Sequence, residues 1–121
     1  MCKVLGLGLD LCEISRMEAL LGDDRFLARC FTEKEAVYIR SKGAGAAQTM
    51  AGIWAAKEAV LKAAGTGIAC ALKEIEIDHD ALGAPVCRLT GSAAQLVQGS
   101  CMLSITHEGG MAAAVCMRMG E

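Results

Sequence analysis

Residues Gly52–Gly67, GIWAAKEAVLKAAGTG, decide how the rest of the chain is arranged. Alanine, leucine and lysine dominate the stretch, which predicts a helix, and Gly65 and Gly67 supply its C-terminal stop. At about 100° per residue, Met50, Ile53, Val60, Leu61 and Ala64 share one broad stripe, the side expected to enter a core. Glu58 and Lys62 fall on another face, about 40° apart, beside Ala51, Ala55, Trp54 and Gly65. A carboxylate and an amine on a face of small residues leave room for another molecule to approach. The same two residues also read as a surface ion pair in the favourable order, Glu before Lys at i,i+4. Lys57 lies inside the apolar stripe, and its expected form is a buried stem with the ammonium at the rim.

Composition narrows the setting. The 121 residues make one domain, residues 1–121, large enough to bury about two-thirds of its unfolded surface. The hydrophobic fraction of 54% exceeds the roughly 45–50% usual for soluble domains. No apolar run approaches the roughly 18 residues that span a bilayer, so no membrane span is expected. The excess points instead to surface buried between subunits. The N-terminal MCKVLGLGLD imitates a signal peptide, but Asp10 interrupts it and no small-residue cleavage site follows. Seven cysteines without any C-x-x-C spacing argue against a zinc site. Their odd number, with no secretory signal, fits reduced thiols used as apolar fillers in a cytoplasmic chain. A net charge of −2 supplies no basic field for nucleic acid.

Before the central helix, Val4–Asp10 alternates as a strand, with Leu5, Leu7 and Leu9 on one side and Val4, Gly6, Gly8 and Asp10 on the other. The glycines clear space on the side where Asp10 projects. Asp10 and Glu13 form a D-x-x-E capping box, predicting a helix to about Leu21 with Gly22 as stop. A carboxylate at such a strand-to-helix turn is equally well placed to hold a metal ion. Asp24–Phe31 reads as a short helix burying Phe26 and Cys30 and showing Arg25 and Arg29. Thr32 and Glu35 form a second capping box for a helix to Ser41, and Lys42–Ala47 reads as a flexible loop.

After Gly67 the period becomes two. Lys73–Asp78 places Ile75 and Ile77 inward, and HDALGAP turns into a strand at Val86–Thr90. Ser92 and Gln95 are expected to cap a short helix ending at Gly99. Cys101–His107 and Met111–Arg118 then read as a hairpin around Gly109–Gly110. Alternation groups His107 with Leu103 and Ile105, and Ser104 with Thr106.

Four stretches, GLGLDLCEISR, RFLARCFTEKE, AGIWAAKEAVLKAAGTGI and LSITHEGGMAAAV, together resemble the holo-[acyl-carrier-protein] synthases, small 4′-phosphopantetheinyl transferases. The likeness runs from about Leu5 to Val115. It implies an α+β fold, a single domain with a long central helix packed on a small, mainly antiparallel sheet. It also implies Mg²⁺-dependent transfer of the phosphopantetheine arm of coenzyme A to a serine of an acyl carrier protein, a step of fatty-acid and lipid biosynthesis. The implied assembly is a homotrimer with its sites at subunit interfaces. By the resemblance, Asp10 and Glu58 bind the metal. Lys62 lies beside the phosphates, and His107 near the pyrophosphate, so that Glu58, Lys62, Asp10 and His107 form the catalytic set. Lys57, Lys62, Ser104, His107 and Gly65 are the expected coenzyme contacts, and Arg16 and Arg25 meet the acidic helix of the carrier.

The chemistry suits these residue types: phosphoryl transfer concentrates negative charge, and a hard cation takes oxygen ligands rather than thiolates. The carrier supplies the nucleophile, and its proton goes either to Glu58 or to a metal-bound water. The chain departs from the family pattern at Ile53, where arginine is usual, and in its neutral loop, where Lys42 is the only cation before Gln48. Ile53 is expected at a subunit seam, with the coenzyme's 3′-phosphate losing a charged partner. These departures also allow a second reading, a coenzyme-binding or assembly subunit without turnover. A third is a structural α+β module whose acids are only caps and surface pairs.

Overall fold

Strand β1 (Lys3–Glu13) turns Leu7, Leu9 and Leu11 to one face and Gly6, Gly8 and Cys12 to the other in the computed structural model, which describes residues 2–67 and 69–121. Met1 and Ile68, the last residue of the third quoted stretch, lie outside the described residues. β1 is longer than its sequence predicts, and the capping box at Asp10 does not form. Asp10 to Glu13 pair with Ala114 to Met111 across the sheet, so ladder hydrogen bonds replace the local cap. Helix α1 (Ile14–Leu20) begins only afterwards, with Glu13 at its N-cap and no side-chain cap bond.

The next two helices follow their local signals. α2 (Asp24–Cys30) is capped by Asp23, which accepts from Phe26 N at 3.1 Å. In α3 (Glu33–Arg40) the capping box closes: Glu35 N donates to Thr32 Oγ1 at 3.1 Å, and Thr32 N to Glu35 Oε1 at 2.8 Å. The expected loop at Lys42–Ala47 is instead a 3-10 turn, Gly43–Gly45, leading straight into α4 (Ala46–Ala63). α4 ends as its glycines predict. Thr66 N reaches Leu61 O at 3.1 Å and Gly65 N reaches Lys62 O at 3.0 Å, with Gly65 at φ 82°.

β2 (Ile75–His79) and β3 (Pro85–Leu89) form a separate antiparallel hairpin. Ile75 and Ile77 point inward, 0% and 2% exposed. α5 (Gly91–Leu96) is not capped by Ser92, which lies within it; Thr90 is the N-cap, without a side-chain bond. The carboxylate of Glu74 holds this end, accepting from Ser92 Oγ at 2.6 Å and Ala93 N at 3.3 Å. β4 (Ser100–Glu108) and β5 (Met111–Gly120) make the expected hairpin, with Gly109 and Gly110 both at positive φ as a tight two-residue turn needs. The main sheet is antiparallel in the order β1-β5-β4. This is the expected α+β arrangement, a long helix laid on a small antiparallel sheet.

α4 crosses the sheet from Gly52, opposite Ile105 on β4, to Ala59 and Ala63 on β1. A side chain on Gly8 would run into Ala59 O, and one on Gly6 into Ala63 O. The space that these glycines clear is therefore filled by the helix backbone. The predicted stripe is buried, with Met50, Ile53, Val60 and Leu61 at 1% exposure or less. Ala51 and Ala55, expected on an open face, are buried as well. Small side chains here serve close packing rather than access. All seven cysteines are free; Cys12, Cys30 and Cys116 fill the core.

Gly8→Ala places a methyl group against a helix carbonyl that cannot move without unseating α4. The variant should lose about 3 kcal/mol or more of unfolding free energy, read as a drop in the urea midpoint with an unchanged slope. Stability equal to wild type would mean that β1 and α4 are not in backbone contact.

Candidate active site

The crossing of β1 and α4 builds the first cluster. Asp10 leaves β1 on the helix side, its side chain only 16% exposed. Lys62 Nζ donates to Asp10 Oδ1 and to Leu9 O, each at 3.0 Å. The expected Glu58–Lys62 surface pair is thus replaced: Lys62 reaches across to the strand, because the ladder fixes Asp10 beside it. Two of the ammonium's three protons are committed and one remains. Glu58 is half-buried close to Asp10. Burial, and then the charge of Asp10, raise its carboxyl above the usual carboxylate range, while Lys62 and Arg16 pull the other way. Arg16 is held over the Trp54 ring, Cζ to centroid 5.4 Å, an anchor that no local pattern announces.

Two oxygen-bearing acids with residual mutual repulsion suit a hard divalent cation. Among the described residues no group of three or more His, Cys, Asp or Glu could hold a metal ion. An ion held by Asp10 and Glu58 would therefore complete its shell with water and substrate oxygens, the habit of Mg²⁺.

Lys57 does not reach the rim. It is 0% exposed, and its ammonium donates to Glu35 Oε1 at 2.8 Å, Leu72 O at 2.9 Å and Ile75 O at 2.6 Å. Burial pushes its pKa down and Glu35 pushes it back up. With all three protons used inside the fold, Lys57 has none for a coenzyme, which corrects the expected contact. Glu35 shares its second oxygen with Ile77 N at 2.8 Å, so the pair ties α3, α4 and β2 together.

The second cluster lies at the other end of α4. His107 is exposed, and its Nε2 sits 3.2 Å from Gln48 Nε2. Beside it is a recess of about 200 Å³ lined by Tyr38, Gln48, Gly52, Ile53, His79 and His107 among others. Ten residues of helix, about 15 Å, separate Gln48 from Glu58, so one chain does not bring His107 to the acidic pair. Nor does it bring Ser104 there. Ser104 lies with Leu9 and Val115 on the outer face of the sheet. Gly65 is exposed at the end of α4, and Arg25 is exposed on α2. Ile53 is 1% exposed within its own chain, so the expectation of a subunit seam there does not hold. Gln48, Tyr38 and His79 carry no local signal, because each meets a partner distant in sequence.

The chain matches the family model of the 4′-phosphopantetheinyl transferase superfamily over residues 6–116. The holo-[acyl-carrier-protein] synthase of Treponema denticola is 44% identical to it over 122 residues, covering 97% of this chain and 99% of that protein. Among solved structures, the holo-[acyl-carrier-protein] synthase of Neisseria meningitidis superimposes with a TM-score of 0.85 at 27% identity, covering 96% of this chain and 98% of that one. The Bacillus anthracis synthase, solved in complex with CoA (3′,5′-ADP), gives a TM-score of 0.83 at 32% identity, covering 98% of each chain.

The acidic cluster has a consequence for stability. A carboxyl whose folded pKa lies above its unfolded value binds more protons in the folded state, so stability falls as pH rises through that window. Glu58→Gln should therefore unfold at a higher temperature than wild type at pH 7. The two should converge below pH 4, where Glu58 is protonated in both states. A lower melting temperature for Glu58→Gln at pH 7 would show that Glu58 is not set against Asp10.

Proposed function

The chain belongs to the 4′-phosphopantetheinyl transferase superfamily, and from that premise we propose that it transfers the phosphopantetheine arm of coenzyme A to a serine of an apo-acyl carrier protein, releasing adenosine 3′,5′-bisphosphate. The observation that carries this reading is the convergence of Asp10, Glu58 and Lys62 where β1 meets α4. Bound there by Asp10 and Glu58, Mg²⁺ would neutralise charge that builds on the pyrophosphate.

The carrier serine forms a new P–O bond to the phosphorus that bears the pantetheine arm. The P–O bond to the nucleotide breaks, and its electrons leave with the bisphosphate. Lys62, pinned by Leu9 O and Asp10, aims its remaining N–H at the phosphates and offsets their charge. The serine proton goes to Glu58 or to a metal-bound water. Arg16 and Arg25, both exposed, offer cations to an acidic carrier helix. Glu58→Gln and Asp10→Asn should each lower transfer by about 10²-fold or more, measured by the mass gained by an apo-carrier incubated with coenzyme A and Mg²⁺. Full activity in either would return these acids to a structural role.

The site is completed between subunits. His107 and the acidic pair lie at opposite ends of α4, while the outer sheet face exposes Leu7, Leu9, Leu11 and Met102 by 60–64% each. Such an apolar face asks for cover, and a homotrimer would supply it while setting His107 of one copy against Glu58 of the next. The setting is taken to be cytoplasmic; among the described residues no helix is long and apolar enough to cross a membrane. Light scattering should report three chains. Glu58→Gln and His107→Ala, each impaired alone, should partly restore transfer when refolded together, because mixed trimers hold some intact sites. No recovery from the mixture would place the whole site within one chain.

A further inference from the structure

The proposed transfer uses none of the seven cysteines, yet three of them meet. Cys87 on β3, Cys101 on β4 and Cys116 on β5 all pack against the core. The register explains two of them. Leu103 pairs with Cys116 and Cys101 with Arg118, so Cys101 and Cys116 are diagonal neighbours on the sheet face that α4 covers. The β2–β3 hairpin lies along β4 and brings Cys87 to the same place, on the side that carries its buried partner Ile77. Cys101 accepts hydrogen bonds from the thiols of both Cys116 and Cys87.

The three thiols are not equivalent. Arg118, opposite Cys101, is fixed by Ala63 O at 3.0 Å, Gln98 O at 2.9 Å and Leu5 O at 3.3 Å. The hydrogen bonds from Cys116 and Cys87, with the charge of Arg118, hold the Cys101 thiol below the usual thiol range, against the effect of burial. Cys87 and Cys116, as the donors, are pushed above it. Cys101 and Cys87 are partly exposed, whereas Cys116 is 0% exposed. A thiolate within reach of solvent is the form that oxidants attack. Diagonal neighbours in a ladder stand about 7–8 Å apart, beyond the roughly 7 Å that a disulfide spans without backbone movement. Cys87 belongs to the other sheet and is bound by no such register.

We propose that Cys101 is a peroxide-sensitive thiol that closes a disulfide with Cys87 and so ties the β2–β3 hairpin to the main sheet. The Cys101 thiolate attacks one oxygen of hydrogen peroxide; an S–O bond forms, the O–O bond breaks and hydroxide leaves. The Cys87 sulfur then attacks the Cys101 sulfur. The S–S bond forms, the S–O bond breaks, and the departing hydroxide takes the Cys87 proton as water. The first hydroxide takes the proton that Cys101 had lost, so two thiols and one peroxide give a disulfide and two waters. The sulfurs lose two electrons and the peroxide gains them. In the reduced chain no ladder joins the two sheets among the described residues, and the new bond closes the loop between positions 87 and 101.

The test treats the full folded chain with a small molar excess of hydrogen peroxide, alkylates the remaining thiols and maps the peptides by mass spectrometry. The Cys87–Cys101 disulfide should form before the exposed Cys2 or the partly exposed Cys70 is oxidised. Cys87→Ser should leave Cys101 as a sulfenic acid that a 1,3-diketone captures, and Cys101→Ser should leave Cys87 unpaired. Cys116→Ala should still close the bond. Oxidised wild type should melt about 5 °C or more above the reduced chain and return to the reduced value with dithiothreitol, whereas peroxide should not raise the melting temperature of Cys101→Ser. Wild type alone decides the assignment even if a variant fails to fold. Peroxide that modifies Cys2 first, a bond from Cys101 to Cys116, or seven thiols still open to alkylation would each overturn it. A mapped Cys87–Cys101 bond with an unchanged melting temperature would overturn the tether.

Discussion

The contact on which the structure depends is backbone against backbone: the carbonyls of Ala59 and Ala63 lie on the bare α-carbons of Gly8 and Gly6. Any side chain on the strand would lift α4 away from the sheet. At this separation the end of β1 delivers Asp10 to the helix face that carries Glu58 and Lys62, and Lys62 can span from helix to strand. Site geometry and core packing are here one constraint. The long run of alanines in α4 has the same origin, since a helix pressed onto the three-stranded sheet has little volume for larger residues there.

A second constraint holds the other side of the helix. Lys57 and Glu35 are buried as an ion pair, and each also serves backbone groups, Leu72 O and Ile75 O for the lysine, Thr32 N and Ile77 N for the glutamate. A desolvated pair is tolerable only when its remaining hydrogen-bonding capacity is filled in this way. The pair also sets the β2–β3 hairpin against α3, and through it the stack of His79 on Tyr38. Lys57 and Glu58, adjacent in sequence, therefore sit in opposite settings: one is buried in the scaffold, the other stays half-exposed beside Asp10.

Charge placement follows the same division. The scaffold's buried charges are satisfied within the chain, whereas Asp10 and Glu58 keep a mutual repulsion and Lys42 has no carboxylate partner among the described residues. Groups left unbalanced by the fold are the groups available to a charged substrate. The outer sheet face is unbalanced in a different sense, apolar where water would stand, and it adjoins Ser104, which the single chain leaves away from both clusters.

Sequence alone determined the elements whose causes are local. The Thr32–Glu35 box, the Gly65 stop, the Gly109–Gly110 turn and the alternation of β1 each depend on residues within a few positions, and each is found. Asp10, Glu58, Lys62 and His107 were legible as candidates because their residue types and the four quoted stretches carry a family pattern. Only the tertiary structure decided what these residues touch. Asp10 became a strand residue because β5 claimed its backbone, and α5 took its cap from Glu74 rather than from Ser92. Lys57 was drawn inward by Glu35, 22 positions away. Helical spacing reports which side of a helix a residue occupies. It does not report what lies opposite, and for a helix buried nearly all round, what lies opposite decides between core, anchor and site.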